Sequence, residues 1–380
     1  MGDAAEPTRH CMHPPSHGYP PNEACPSPSW VLLDLQAFIA DRVNATTASC
    51  VMSNGYQPAE LAKGRYTTVE AAGDDLVLIR TVVPGSGGRT RCDNLVYQAG
   101  GNGPSLQLLP GSSPRPSVNY WQYSAGLLAR RRSDNGEIGH FYVASLGYHD
   151  GEDPVLFLFD SMDGTWSSGP VPLGQQLRHR LREIAHFPCK VVELGEGGGG
   201  GALGFIDLWR GILICDVLGR RPARYVPLPP QLVRDDEFDG APLLTRDVAV
   251  VDGRLTVARL QRRRRSWDVT TWSISSDPWE VDEEGWREDC TMHSRDISVD
   301  GDTDNAELLP TRPQDSDHNG APQPALGRLC AAFPALSLSD HHVVHVMDEP
   351  AELFEAKASV LSGRLCLTRR DVRHRGVYTS

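Results

Sequence analysis

The chain has 380 residues, of which 39 % are hydrophobic and 23 % are charged, a composition that is ordinary for a globular protein and excludes a wholly disordered chain. It carries 49 acidic and 37 basic residues, a formal net charge of −12. Because an acidic chain repels phosphates, binding to DNA or RNA by the whole chain is disfavoured, and we expect nucleic acid to be an unlikely partner.

The first 29 residues are rich in Pro and His and contain no apolar segment of the length that a secretory signal needs. This composition predicts a disordered tail over 1–29. No run further along the chain approaches the ~20 apolar residues that cross a bilayer. The sequence therefore predicts a protein of the cytoplasm, the nucleus or both, which is neither secreted nor held in a membrane.

From residue 30 onward, short apolar or alternating runs end at Gly or Asp-Gly turns, a pattern typical of strands joined as hairpins. Hairpins are predicted, in chain order, at 155–166, 211–226, 248–260, 266–290 and 360–367. The clearest is centred on Asp252-Gly253, since Asp-Gly supplies the two positive-φ positions of a type I′ turn. Helical periodicity is confined to two short segments, 35–42 and 175–185.

Hairpins that recur over about 340 residues must bury one face of each sheet without leaving long exposed edges, and radial repetition achieves this. At about 40–50 residues a blade, the length supplies roughly six to seven blades. We therefore expect an all-β fold with a β-propeller-like body over 30–376, and two packed β-sandwich domains are the alternative. Within the body, a Gly-rich loop is expected at 195–201 and an acidic disordered loop at 294–324.

The most specific pattern is FIDLWRGILICDVL at 205–218, followed by RYVPLPP at 224–230. It resembles the domain of unknown function 1618, a plant family expanded in grasses, with the named domain at 205–345 and weaker similarity over most of 30–350. The resemblance implies no established catalytic residue and no cofactor. The motif consists of Asp207, Leu208, Trp209, Arg210, Gly211, Cys215, Asp216, Tyr225, Pro227 and Pro229.

Read physically, the motif predicts structure rather than catalysis. Apolar residues interrupted by charged ones indicate two strands that bend at 209–211, where Gly211 permits the bend. Trp209 is expected to cap the core, and Asp207 to accept a hydrogen bond from Arg210 or from a turn amide. The prolines of 227–230 end the pairing, because proline has no ladder donor. The block is therefore interpreted as the structural nucleus of a blade.

No pattern fixes a metal or a cofactor. The segment with His341, His342 and His345 is interleaved with valines, which favours a strand with histidines on opposite faces over a zinc site. The glycine tract lacks the Lys-Ser/Thr of a P-loop. Irregularly spaced donors also occur in the tail, at His10, Cys11, His13, His17 and Cys25.

An acidic run offers a weak match to a calcium loop. Asp300, Asp302 and Asp304 occupy the first three ligand positions of an EF-hand. Asn305 and Thr311 stand where the loop requires Gly and Glu, so a solvated loop is favoured over calcium binding.

Charge is unevenly distributed along the chain. Residues 280–317 carry 13 acidic residues and three arginines, so the remainder is close to neutral. Two compact basic runs occur, at 130–132 and 262–265. The run at 262–265 is interpreted as a solvated turn, with nuclear import or an acidic partner as the alternatives.

Because no catalytic motif is present, we expect a non-catalytic module that presents the loops of a propeller to a protein partner. The alternative is an intracellular sugar-binding or hydrolytic propeller, whose central funnel is lined by carboxylates such as Asp207 or Asp216.

Overall fold

The structure, a computed structural model, describes Ala48, Cys50 and residues 67–84, 90–99, 104–110, 125–131, 138–147, 153–184, 186–195, 201–219, 221–233, 241–263, 266–277, 279, 285–297, 311–316, 322–324, 331–338, 340–348, 354–359 and 365–369. The predicted tail at 1–29 and the helix predicted at 35–42 lie outside the described residues.

The described strands form five four-stranded antiparallel sheets and one two-stranded ribbon, so the all-β class predicted from the sequence is confirmed. In every sheet the strands are neighbours in chain order. The first sheet contains β1 (Thr67–Gly73), β2 (Leu76–Pro84), β3 (Thr90–Gln98) and β4 (Ser105–Leu108). The second contains β5 (Ala125–Arg131), β6 (Ile138–Gly147), β7 (Val155–Asp160) and β8 (Thr165–Pro170).

The third sheet, which carries the sequence motif, contains β9 (Lys190–Leu194), β10 (Ala202–Asp207), β11 (Gly211–Asp216) and β12 (Arg224–Pro227). The fourth contains β13 (Arg246–Val251), β14 (Arg254–Arg262), β15 (Trp267–Ser275) and β16 (Arg287–His293). The ribbon consists of β17 (Thr311–Ser316) and β18 (Pro322–Pro324). The fifth sheet contains β19 (Ala331–Leu336), β20 (Val343–Asp348), β21 (Phe354–Ser359) and β22 (Leu365–Arg369). The ribbon lies within 294–324, where the sequence predicts an irregular loop.

Helices occur only at connections in the described part of the chain. Helix α1 (Gln175–Ile184) joins the second sheet to the third and buries Leu181, as the periodicity at 175–185 predicts. Helix α2 (Pro230–Val233) and a 3-10 helix (Pro242–Leu244) join the third sheet to the fourth. None of these helices is long and apolar enough to cross a membrane.

Two of the predicted hairpins have the glycine turn expected of them, and the turn of the hairpin predicted at 360–367 lies outside the described residues. Asp252 and Gly253 have φ values of 48° and 69°, the two positive values that a type I′ turn requires, and they connect β13 to β14. Gly164, with a φ of 66°, closes the turn between β7 and β8.

The first strands of consecutive sheets lie side by side, β1 with β5, β5 with β9, β9 with β13 and β13 with β19. Each sheet therefore has two ends, which we name from their connections. The hairpin end carries the turns from the first strand to the second and from the third to the fourth. The crossover end carries the turn from the second strand to the third and the connections to the neighbouring sheets.

Where neighbouring sheets are joined by ion pairs, hairpin ends contact hairpin ends and crossover ends contact crossover ends. At the hairpin ends, Arg131 lies 3.0 Å from Asp74, and His341 lies 2.6 Å from Asp252. At the crossover ends, Lys190 lies 2.6 Å from Asp247. The sheets are therefore stacked face against face with their strands in a common direction.

Apolar side chains fill the spaces between neighbouring sheets. One cluster joins Ile206 and Ile212 of the third sheet to Trp272 of the fourth, and another joins Phe205 of the third sheet to Leu146 of the second. All six residues of β10 are buried. This two-sided packing explains why β10 is apolar on both of its faces rather than on one, as in any strand covered on both sides.

Candidate functional site

The sequence motif folds into the hairpin of β10 and β11, and Asp207 organises the turn between them, residues 208–210, which we call the motif turn. The Asp207 carboxylate is 2 % exposed. Its Oδ1 accepts a hydrogen bond from the Trp209 amide at 2.9 Å, and its Oδ2 accepts from Arg210 Nη1 at 3.1 Å. Asp207 thus makes both interactions expected of it. Oδ2 also accepts from the Phe187 amide at 3.0 Å, which fixes the loop before β9 to the motif turn.

Arg246 of β13 fastens the motif turn to the fourth sheet. Its Nη1 donates to the Leu208 carbonyl at 2.8 Å and its Nη2 to the Leu232 carbonyl at 2.9 Å. The guanidinium lies 4.4 Å from the ring centroid of Trp209. Trp209 is half-buried, so the ring expected to cap the core instead stacks with a buried arginine at its margin.

Gly211 is required by its neighbours. A Cβ atom at this position would lie 2.6 Å from the Val226 carbonyl oxygen and 2.7 Å from Tyr225 Oη, distances that real Cβ contacts do not reach. The Tyr225 ring in turn packs edge-on against His186, with centroids 5.6 Å apart, and lies under the Arg180 guanidinium at 4.7 Å.

His186 is a buried neutral imidazole. Burial lowers its pKa to about 4, although Asp207 and the Phe205 carbonyl act in the opposite direction. Its Nε2 lies 3.0 Å from the Phe205 carbonyl oxygen. A histidine held neutral in this way packs a ring against β10 and Tyr225, and it does not titrate near neutral pH.

The other motif residues also have structural positions. Asp216 accepts hydrogen bonds from the amides of Gly219 at 2.8 Å and Arg221 at 3.4 Å, which closes the turn before β12. Leu208, Cys215 and Pro229 are buried. Pro227 is the last residue of β12 and lies opposite Gly211. Burial raises the pKa of the Cys215 thiol, which keeps it protonated and unreactive.

Asp207 and Asp216 do not form a carboxylate pair. Asp207 pairs with Gly211 across the hairpin, and Asp216 lies five residues further along β11, which is about 16 Å at the rise of a strand. Catalytic carboxylates of glycosidases lie about 5–10 Å apart. Both residues also lie on the second and third strands of their sheet, whereas neighbouring sheets meet through their first strands.

The structure shows charged groups on the first strands that sequence reasoning missed. Lys190 Nζ lies 2.6 Å from Asp247 Oδ1, and Asp247 Oδ2 accepts from the Leu336 amide at 2.9 Å. One carboxylate thus joins the third, fourth and fifth sheets. The available signal was the presence of charged residues at the start of largely apolar strands, as in KVVEL and RDVAVV.

A second charged group lies near the hairpin ends. Burial raises the pKa of Glu193, the Arg130 charge lowers it, and the Asp74 charge raises it. These three residues come from the third, second and first sheets, so they also act between sheets.

The histidines of 341–345 do not form the predicted strand as a unit. His341 and His342 lie in the turn before β20, and only His345 is within the strand, where it is 4 % exposed. His341 Nδ1 pairs with Asp252 Oδ2. Among the residues that the structure describes, no group of three or more His, Cys, Asp and Glu is placed to hold a metal ion. The tail donors and Asp300, Asp302 and Asp304 lie outside that part of the chain.

The basic runs are partly described. Arg130 and Arg131 end β5, and Arg262 ends β14. Arg263 follows in the turn, where its side chain is 58 % exposed and its Nε lies 2.8 Å from Asp268 Oδ2. The described residues do not include Arg132, Arg264 and Arg265.

Comparison with solved structures gives only remote likenesses. A puromycin-hydrolysing peptidase of Mycobacterium tuberculosis aligns with 82 % of this chain at 11 % identity and a TM-score of 0.30, and the chain spans 54 % of that enzyme. Zg3597, a family 117 glycoside hydrolase of Zobellia galactanivorans, aligns with 57 % of this chain and 66 % of its own length at 12 % identity and a TM-score of 0.29. The β-propeller domain of Cps50 (Swd1) from Myceliophteria thermophila aligns with 86 % of this chain and 98 % of its own length at 11 % identity and a TM-score of 0.26.

Comparison with sequences is more specific. No curated protein matches the chain. Residues 205–345 match the model of the family described as "Protein of unknown function (DUF1618)", which confirms the resemblance seen in the motif. The chain is therefore similar to the DUF1618 family over residues 205–345.

Proposed function

We propose that the protein is a non-catalytic interaction module that presents the crossover ends of a β-propeller to a protein partner. The observation that carries the proposal is the use of charged groups in the motif. The Asp207 carboxylate is engaged by two backbone amides and by Arg210, and Arg246 is engaged by two carbonyls. These groups hold a turn in a fixed shape, which suits recognition better than proton transfer.

The propeller interpretation is supported by sheet order and packing. Each sheet is a four-stranded meander, consecutive sheets touch through their first strands, and apolar clusters fill the spaces between them. Radial blades have these properties. Five four-stranded sheets lie in the described part of the chain, and the expectation of six to seven blades stays a prediction.

We place the module in the cytoplasm or the nucleus. Five cysteines of the described residues are thiols outside any disulfide: Cys50, Cys92, Cys189, Cys215 and Cys290. Free thiols are typical of a reducing compartment.

Affinity purification of the tagged full chain at physiological salt tests the proposal. We expect a protein that co-purifies at constant stoichiometry and shifts the chain to a larger size on gel filtration, whereas the tag alone captures nothing. A chain that stays monomeric with no enriched partner contradicts the proposal. Turnover of any substrate in panels of glycans and esters contradicts its non-catalytic part.

A further inference from the structure

Strand β8 is an uncharged outer edge of the second sheet. It is the last strand of that sheet and pairs on one side only, with β7. Its sequence is TWSSGP, and no Asp, Glu, Lys or Arg occurs anywhere in 164–177. Four of its six residues are exposed and the other two are half-buried. Charged side chains ordinarily protect edge strands from pairing with other chains, and β8 lacks this protection.

The outer edges of the neighbouring sheets differ from β8. In the third sheet, β12 is covered by the segment before β16, because Trp286 Nε1 donates to the Pro227 carbonyl at 2.8 Å and Arg224 donates to the Trp279 carbonyl. In the fourth sheet, β16 begins with three charged residues, in REDCTMH. In the first sheet, β4 is uncharged but has only four residues. Among these four sheets, β8 is therefore the longest uncharged outer edge.

The main-chain groups of β8 alternate in direction along the strand. The Val171 amide donates to the Pro154 carbonyl at 3.0 Å and so continues the ladder with β7. In an antiparallel ladder every second residue bonds to the neighbouring strand, so 165, 167 and 169 face β7 whereas Trp166, Ser168 and Pro170 face outward. A proline fits an outward position, because it has no N–H to lose from the ladder. In the described part of the chain, no main-chain group pairs with the outward N–H of Trp166 or Ser168.

A second copy of β8 would satisfy these outward groups. In an antiparallel pair with its two-fold axis at Ser168, the two Ser168 residues exchange N–H to carbonyl hydrogen bonds. Each Trp166 N–H then donates to the carbonyl of Pro170 in the other copy. Every outward N–H of the pair thereby finds an acceptor, at the alternating spacing of an antiparallel ladder. Such a contact is isologous and closes at two copies.

Charge favours a second copy at this edge. The chain carries a net charge of −12, so two copies repel each other through most of their surfaces, and an uncharged edge permits their approach. Antiparallel pairing also keeps the two Asp163 carboxylates, the charges nearest before β8, at opposite ends of the pair. Trp166 and Pro170 lie directly opposite each other in this register, which adds an apolar cross-strand pair.

We infer that β8 is a dimerisation edge, at which the second sheets of two copies join into one continuous antiparallel sheet. The contact lies along the outer edge of the sheet, so it is separate from the proposed function and its test requires no protein partner. One short strand buries little surface, and small interfaces form weak, transient complexes. We expect a monomer–dimer equilibrium with a dissociation constant on the order of 10–100 µM.

Sedimentation equilibrium of the purified full chain, over concentrations about tenfold below and above this range, tests the inference. Ser168→Pro removes an N–H that faces away from β7, so the ladder within the chain is retained while two hydrogen bonds between the copies are lost. We expect it to weaken the dimer about tenfold or more. Thermal unfolding of each variant verifies that it is folded.

A charge swap at the two-fold axis makes the test specific, because Ser168 is expected to face its own copy. Ser168→Lys and Ser168→Glu are each expected to be monomeric, since like charges directly opposite destabilise a strand pair, whereas an equal mixture of the two is expected to dimerise. Ser275→Lys and Ser275→Glu are the matched controls. Ser275 is an exposed serine at the end of β15, and each control is expected to dimerise like the wild type.

Oxidative cross-linking tests the register. Ser168→Cys is expected to form a disulfide-linked dimer, because the Cα atoms of a hydrogen-bonded pair lie about 5.5 Å apart, within the range of a disulfide. Ser167→Cys is the control, since the two Ser167 residues are diagonal neighbours about 7–8 Å apart and are expected to cross-link poorly. The oxidised wild type gives the background from the native cysteines.

Four outcomes overturn the inference. They are a wild type that stays monomeric over the whole range, a Ser168→Lys variant that dimerises like the wild type, a mixture of the two charge variants that stays monomeric, and a Ser168→Cys variant that does not cross-link above background. A monomeric chain whose β8 amides are protected from deuterium exchange only by a co-purified protein also overturns it, and leaves the proposed function standing.

Discussion

Gly211 occupies the most crowded position of the motif. Both atoms that a Cβ would meet first, the Val226 carbonyl oxygen and Tyr225 Oη, belong to β12. The carbonyl belongs to the backbone of a residue paired with Ile212, so it cannot move away without shifting β12. The conformational freedom of glycine is less important here than its lack of a side chain.

We predict that Gly211→Ala lowers the free energy of unfolding by about 1–3 kcal/mol, the usual cost of overpacking. Denaturant unfolding of the purified chain measures it. Gly169→Ala is the matched control, because a Cβ there meets nothing within 4 Å and the change is expected to be neutral or slightly stabilising. Equal stability of the two variants would show that β12 can shift freely.

His186 makes stability depend on pH. In the unfolded chain its pKa is near the ordinary 6.5, and in the folded chain burial lowers the pKa to about 4. Between these values the unfolded state binds a proton that the folded state does not, so acid favours unfolding.

We predict that the free energy of unfolding falls by about 3 kcal/mol through this one residue as pH decreases from 6.5 to 4. Denaturant unfolding at several pH values measures the slope. His186→Gln is expected to flatten this part of the profile. The side chain of His179 on α1 is 78 % exposed, so His179→Gln is expected to keep the slope; a wild-type slope in His186→Gln would contradict the assignment.

At the scale of elements, the contact of Lys190 with Asp247 connects β9 to β13. The Asp247 side chain is 9 % exposed and that of Lys190 is 33 % exposed, so the pair is partly shielded from solvent. A buried carboxylate that loses its partner is costly, whereas exposed pairs contribute little.

We predict a coupling free energy of about 1–2 kcal/mol between Lys190→Met and Asp247→Asn in a double-mutant cycle, as for contacting charged residues. The pair Arg295 and Asp296, with side chains 75 % and 64 % exposed and 3.8 Å apart, is the control and is expected to show a coupling near zero. A coupling as small for Lys190 and Asp247 would mean that the carboxylate is held by the Leu336 amide alone.

Elements whose cause is local were predictable from the sequence. The turn at Asp252-Gly253 is determined by those two residues, and helix α1 is indicated by the spacing of apolar residues within its ten residues. The turn at His341 and His342 was missed because valines on one side suggested a longer strand. The stacking of Arg246 on Trp209 was missed because those residues are brought together by two sheets, and nothing in either segment indicates the other.

At the scale of the whole molecule, the third sheet is packed against a neighbouring sheet on each of its two faces. Apolar clusters cover it on the sides of both the second and the fourth sheets. The edge strand β8 of the second sheet, in contrast, has mostly exposed residues.

We predict that the backbone amides of β10 and β11 are among the slowest to exchange with deuterium, because opening them requires separation of two interfaces. The amides of β8 are expected to exchange faster by orders of magnitude. Hydrogen exchange followed by mass spectrometry of peptic fragments measures both. Fast exchange in β10 would contradict the two-sided packing.

The Asp247 carboxylate also has a consequence for the order of folding. Each four-stranded meander closes through contacts between neighbours in sequence, and such contacts form early. Asp247 instead joins Lys190, 57 residues before it, to Leu336, 89 residues after it. Its hydrogen bonds can be complete only when the third and fifth sheets have both reached the fourth, so this carboxylate couples the packing of these three sheets to one another.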